Sequence, residues 1–236
     1  MQPEIFGIPT YFLYLSVLFS ALAFLLPWWA HRYNQNVLHA LNLALTIMIV
    51  GFLGARIFHV FFESPEIYHQ DPKLVFLIWQ GGFVFYGGAI PAFLAAALYV
   101  KIYKLDFATW ADFWAPIAAF AYGAGRVACL LSGCCYGKTC ELSWAINGLH
   151  PTQAYAIVWE LVVFALLLFL TERKLKKGTV FFTWITLHSL GRLMMEYFRD
   201  DFRGELFLSM SISSWISLVI LSLGFASLSG RGVRGE

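Results

Sequence analysis

Seven apolar runs, each long enough to cross a bilayer as a helix, constrain this chain more than any other feature. A helix needs about 20 predominantly apolar residues to span the hydrocarbon core. The 236-residue sequence offers such runs near residues 10–30, 38–62, 74–100, 112–135, 151–170, 179–197 and 206–229. Charged residues make up only 13% of the chain and hydrophobic ones 60%. A soluble domain carries roughly 25% charged residues, so the solvent of this chain is lipid. The expected fold is all-α and polytopic, with about seven transmembrane helices in one membrane domain over 1–236. Gly and Pro interrupt the 74–100 and 112–135 runs, so either could be broken or re-entrant. A net charge of +2 excludes nucleic acid as a partner, and no cleavable signal peptide is expected.

The positive charges orient the spans. Alternate connections hold Arg32, Lys101, Lys104, Arg173, Lys174, Lys176, Lys177, Arg231 and Arg234 on one side, and Lys73, Lys138, Arg199 and Arg203 on the other. The first set is expected in the cytoplasm. That puts the N-terminus outside, the C-terminus inside, and the outer connections at 63–73, 136–149 and 198–205.

Three arginines remain, Arg56, Arg126 and Arg192, and each falls within a predicted span. A charge in hydrocarbon costs at least ~2.5 kcal/mol and marks a functional site by default. All three fall toward the outer end of their spans. Glu196 shares a helix face with Arg192, four residues away. The Gly-rich stretch 81-GGFVFYGG-88 and His150 lie at the same depth. A guanidinium fork matches phosphate oxygens and stays charged in an apolar site. The expectation is a cavity near the outer leaflet that holds a phospholipid phosphate.

The ordered segments 51-GFLGARIFHVFF-62, 79-WQGGFVFYGG-88, 112-DFWAP-116, 125-GRVACLLSGCCYG-137, 150-HPTQAY-155, 191-GRLMMEYFRD-200 and 208-LSMSISSWISL-218 resemble those of the prolipoprotein diacylglyceryl transferases. The resemblance implies a seven-helix membrane bundle with its N-terminus outside, in the bacterial inner membrane, working at the outer leaflet without a cofactor or metal. It implies transfer of the diacylglyceryl group of phosphatidylglycerol to the lipobox cysteine thiol of a prolipoprotein, releasing glycerol phosphate. Arg126, Arg192 and Glu196 match the family's arginines and glutamate, with Arg126 and Arg192 as phosphate ligands and Glu196 holding Arg192. Gly87 and Gly88 match its double glycine, and His150 and Gln153 its HPxQxY run. With Arg56, these are the lipid-phosphate candidates. Arg126, Arg192, Glu196, Tyr86 and Cys134 are the catalytic ones.

Two positions depart from that pattern. Tyr86 stands where many members have histidine, and tyrosine, with a pKa near 10, is the poorer base. Cys129, Ser132 and Cys134 replace two asparagines and a glutamate of the signature. Cys129, Cys134, Cys135 and Cys140 are the chain's only cysteines, and their roles stay open. Cys134 is a nucleophile activated by Arg126, Cys134 or Cys135 pairs with Cys140 in a disulfide, or the thiols pack as small hydrophobes. Their spacing lacks the paired CxxC of common zinc sites. The rival functions are a related transferase with another acceptor or lipid, a membrane thiol oxidoreductase, and a lipid-binding protein without chemistry. His31, His39, His59, His69 and His188 read as interfacial or packing residues, and Asp112 as a helix cap.

Overall fold

The computed structural model describes residues 4–5, 8–78, 81–200 and 210–232. Trp79 and Gln80, Arg203 and Arg234, and residues 201–205 of the third outer connection lie outside the described residues. Among the described residues are eight α-helices: α1 (Thr10–Arg32), α2 (Val37–Phe58), α3 (Pro65–Gln70), α4 (Phe85–Ile102), α5 (Phe107–Ser132), α6 (Thr152–Thr171), α7 (Thr179–Phe198) and α8 (Ile212–Gly232). A two-residue hairpin pairs β1 (Glu4–Ile5) with β2 (Ile8–Pro9).

Seven of the helices match the seven predicted runs, and the chain is a polytopic all-α membrane protein. Six helical segments are long and apolar enough to cross a membrane: α1, Val37–Glu63, α4, α5, α6 and the apolar part of α8. The remaining long helix, α7, has 20 residues, and His188, Arg192 and Glu196 dilute its hydropathy. Many large apolar side chains face outward, among them Val17, Phe24, Leu94 and Val162, as helices in lipid require. Of the two runs that could be broken, the first is, and the second is not. Residues 72–76 form a short 3₁₀ turn and α4 begins at Phe85, whereas α5 runs unbroken through Pro116 to Ser132.

The chain forms two compact units. Within Ser20–Phe107, α2 packs on α4 through glycines. A Cβ at Gly88 would meet the Gly51 carbonyl oxygen at 2.6 Å, and one at Gly54 the Gly87 carbonyl oxygen at 2.5 Å. His39 Nδ1 lies 2.9 Å from the Tyr99 hydroxyl across the same pair of helices.

The second unit comprises Met1–Phe19 and Ala108–Glu236. Its core joins Ala115 and Ala119 of α5 to Val163 and Leu167 of α6 and Val180 of α7. Asp112 caps a helix, but not its own. Its carboxylate accepts the N–H groups of Gly178 at 2.5 Å and Phe181 at 2.8 Å, satisfying donors at the start of α7. That contact fixes the register of α7 against α5, and with it the height of Arg192 relative to Arg126.

Candidate active site

Three helices of the Ala108–Glu236 unit turn one face each toward a shared, partly open cavity. Helix α5 presents Tyr122 and Arg126, α6 presents Gln153, Ala156 and Glu160, and α7 presents Arg192 and Met195, with Arg199 joining them from the extended residue that follows α7. The helical sets follow the three-and-four spacing of one helical face. Gly191 lets α6 and α7 approach, because a Cβ there would fall on the Trp159 ring. The ring itself donates its N–H to the Leu187 carbonyl at 3.0 Å.

Arg126 and Arg192, singled out from sequence, therefore line one cavity. Arg126 donates to the Tyr122 hydroxyl and lies over the Tyr122 ring, 4.7 Å from its centroid. Arg192 donates to the Ser213 hydroxyl at 3.2 Å. Ser213 bonds the Ser211 hydroxyl at 2.8 Å, which donates to Glu196 at 2.7 Å. Glu196 thus reaches Arg192 through two serines of the 208–218 run.

Two charged groups that sequence reasoning did not place in the site also line it. Arg199 is buried on the cavity wall, although its position had counted it in an outer connection. Glu160 is 1% exposed, in the middle of α6. Its Oε1 lies 2.6 Å from His188 Nδ1, and its Oε2 has no hydrogen-bond partner. His188 packs edge-on against Tyr122 at 4.5 Å, behind the residues that line the cavity. Gly123 makes the room, since a Cβ there would approach Glu160 Cβ to 2.9 Å. A lone acid inside an apolar span was the signal available in sequence.

The loop after α5 brings the thiols to the rim. Gly133 and Cys135 both have left-handed backbone, φ +68° and +62°. Thr152 Oγ1 donates to the Cys135 carbonyl and Gln153 Nε2 to the Cys134 carbonyl, each at 2.5 Å. The ligating atoms of Cys129, Cys134 and Cys135 lie within 4.8 Å of one another, and Cys135 lines the cavity. Hydrogen bonds from the Cys129 and Cys134 thiols, with the fields of Arg126 and Arg199, hold the Cys135 thiol well below the ordinary thiol range. Hydrogen bonds with Cys129 and Cys135 push the Cys134 thiol up, the reverse of an activated nucleophile. All four cysteines are free thiols, and Cys140 Sγ accepts the Leu142 N–H at 3.4 Å.

The other sequence candidates have different surroundings. Arg56 spends its fork on backbone, donating to Leu74 and Gly81 at 2.5 Å, Gly82 at 3.0 Å and Val75 at 3.3 Å. It clamps the backbone of residues 74–75 and 81–82 rather than presenting donors to a phosphate. Gly87 and Gly88 are buried against α2, where a Cβ on Gly87 would enter the Phe58 side chain, so their role is close packing. Tyr86 opens α4 beside Phe85. His150 meets the Tyr155 hydroxyl at 3.1 Å and stacks on Phe198, seating the 137–150 loop.

The model of one family, described as prolipoprotein diacylglyceryl transferase, matches residues 3–229. The chain belongs to the prolipoprotein diacylglyceryl transferase family. A relative from Clostridium perfringens (strain 13 / Type A), named phosphatidylglycerol–prolipoprotein diacylglyceryl transferase 2, is 32% identical over 253 residues, covering 99% of this chain and 97% of its own. The enzyme of that name from Clostridium tetani (strain Massachusetts / E88) is 30% identical over 94% of this chain and 93% of its own. A third, from Trichormus variabilis (strain ATCC 29413 / PCC 7937), is 32% identical over 82% and 74%. Against this family background, the arginine cavity is the part of the fold most suited to chemistry on a phosphate ester.

Proposed function

We propose that this chain transfers the diacylglyceryl group of phosphatidylglycerol to the lipobox cysteine of a prolipoprotein, in the bacterial inner membrane and from its outer leaflet. The observation that carries the reading is the cavity shared by Arg126, Arg192 and Arg199. A sulfur–carbon bond forms on the acceptor, and the bond between the glyceryl carbon and the phosphate oxygen breaks. The electron pair leaves with glycerol phosphate. Negative charge builds on the leaving phosphate, and fixed guanidinium groups stabilise it more than they stabilise the diester. Arg126 and Arg192 are the phosphate ligands in this reading, and Gln153 holds the loop beside them.

The acceptor thiol must lose a proton to become a nucleophile. Glu160 lines the cavity with one carboxylate oxygen unpartnered, which suits it to take that proton. His188, on its other oxygen, holds the carboxyl group in place. Tyr86 is not required as the base in this account, which accommodates the exchange of histidine for tyrosine.

The test combines the purified full chain in detergent with phosphatidylglycerol and a lipobox peptide. Mass spectrometry of the peptide and a coupled assay for glycerol phosphate read the two products. Wild-type protein should give both, and Arg126→Ala neither. Lipid retained by the wild-type protein without any product would end the reading.

A further inference from the structure

We infer that Cys129, Cys134 and Cys135 form a three-thiolate site for a zinc-type divalent ion, whose fourth position binds the acceptor thiol. The inference rests on the transferase reading for its acceptor and on this chain's own residues for the site. Three sulfurs drawn from a helix end and the loop that follows lie within 4.8 Å of one another. Zinc–sulfur bonds of about 2.3 Å in a tetrahedron put ligand sulfurs roughly 3.8 Å apart, so closure needs movements of about 1 Å at most.

The backbone is held for this arrangement. Cys135 adopts a left-handed conformation (φ +62°), uncommon for a residue with a side chain and costly unless its surroundings impose it. Thr152 and Gln153 impose it through the two carbonyl contacts. The Cys134 N–H also returns to the Cys129 carbonyl at 3.1 Å, closing the loop back on the helix end that carries the first thiol. Small-hydrophobe packing would require none of this.

The charge balance also fits. A divalent ion on three thiolates is a net anion. Arg126 Nη1 lies 4.0 Å from Cys129 Sγ, and Arg199 lines the same cavity wall as Cys135, so the guanidinium groups stabilise the complex. Three protein ligands and one open position are the arrangement of catalytic rather than structural zinc. Because Cys135 is the thiol on the cavity wall, the open position serves that side. A thiol that coordinates there is deprotonated outright. Its proton passes to Glu160, its sulfur attacks the glyceryl carbon, and the phosphate leaves toward Arg126 and Arg192. The ion is neither oxidised nor reduced. The thioether product is a poorer ligand than a thiolate and dissociates.

The test uses the full chain in detergent. Elemental analysis should find zinc near one ion per chain in wild type and Cys140→Ser. Zinc should be nearly absent in Cys129→Ser and Cys135→Ser, with affinity falling by more than the ~10–100-fold that loss of an outer ligand partner costs. Cobalt(II) added to chelator-stripped protein should give a sulfur-to-metal charge-transfer band. A lipobox peptide should shift the cobalt d–d bands, and the same peptide with serine for its cysteine should not. Metal content equal in wild type and the cysteine variants, or no charge-transfer band, overturns the site. Cysteine-dependent metal with no shift by the thiol peptide overturns the acceptor role. Undiminished turnover by stripped protein overturns it as well, while leaving the transferase reading intact. A metal-loaded, peptide-responsive protein that makes no product would instead count against that reading alone.

Discussion

Glu160 Oε1 and His188 Nδ1 stand 2.6 Å apart on neighbouring helices, while Glu160 Oε2 meets no hydrogen-bond partner. A buried acid with one satisfied and one unsatisfied oxygen on a cavity wall is poised to accept a proton. Glu160→Gln keeps the shape and can still bond His188, but it removes the basic oxygen. Turnover should fall by ~10²–10⁴-fold, the range of a lost general base, with phospholipid binding within about threefold of wild type, because the phosphate ligands stay in place. Single-turnover product formation and lipid retention after gel filtration read the two effects separately.

Glu196 acts on Arg192 through Ser211 and Ser213. Ser211→Ala severs that relay and leaves a partly buried carboxylate short of a donor, a loss of about 1–3 kcal/mol. The thermal midpoint in detergent should drop and kcat/KM should fall about tenfold, less than for Arg192→Ala. Arg192→Lys should not restore activity, since a point charge lacks the planar fork. Steady-state kinetics on the three variants check the order.

Arg56 is a clamp in this structure, and its removal should look like one. Arg56→Ala leaves the Leu74, Gly81 and Gly82 carbonyls without their donor. Limited proteolysis should cut within 74–82 at least tenfold faster than in wild type, and the thermal midpoint should fall, while KM for phosphatidylglycerol changes less than about threefold. A large rise in KM with unchanged protection would make Arg56 a lipid ligand instead.

The cavity rim should titrate unusually. Cys129 and Cys134 hydrogen bonds, together with Arg126 and Arg199, hold the Cys135 thiol below its ordinary range. In chelator-stripped protein, alkylation of Cys135 should therefore rise less steeply with pH around neutrality than that of an ordinary thiol, which gains about tenfold per pH unit. Arg126→Ala should restore part of the slope. Peptide mapping after iodoacetamide labelling measures it.

Much of this architecture was legible in sequence because hydropathy alone specifies where helices cross lipid. The interruption before α4 and the joint placement of Arg126 and Arg192 followed from Gly spacing and the cost of charge in hydrocarbon. Other features depended on three-dimensional neighbours. Gly87 and Gly88 look like a phosphate cradle in one dimension, and only the approach of α2 makes them packing residues. Arg56 has the same sequence signature as Arg126, yet carbonyls rather than a cavity face its fork. Arg199 counts as a loop charge in sequence, and it does follow α7, which ends at Phe198; the extended backbone there, bridged to Gly137, sets Arg199 on the cavity wall. Glu160 carries a sequence signal as strong as that of the arginines, since a carboxylate in the middle of an apolar helix is as costly as a guanidinium there.

The most direct measurement is product formation by the purified protein from phosphatidylglycerol and a lipobox peptide. Wild type and Arg126→Ala would be compared at matched folded concentration. The account predicts a peptide carrying a diacylglyceryl thioether and an equal amount of glycerol phosphate from wild type, and neither above background from Arg126→Ala. Equal product from both proteins, or none from a wild type that binds the lipid, would contradict it.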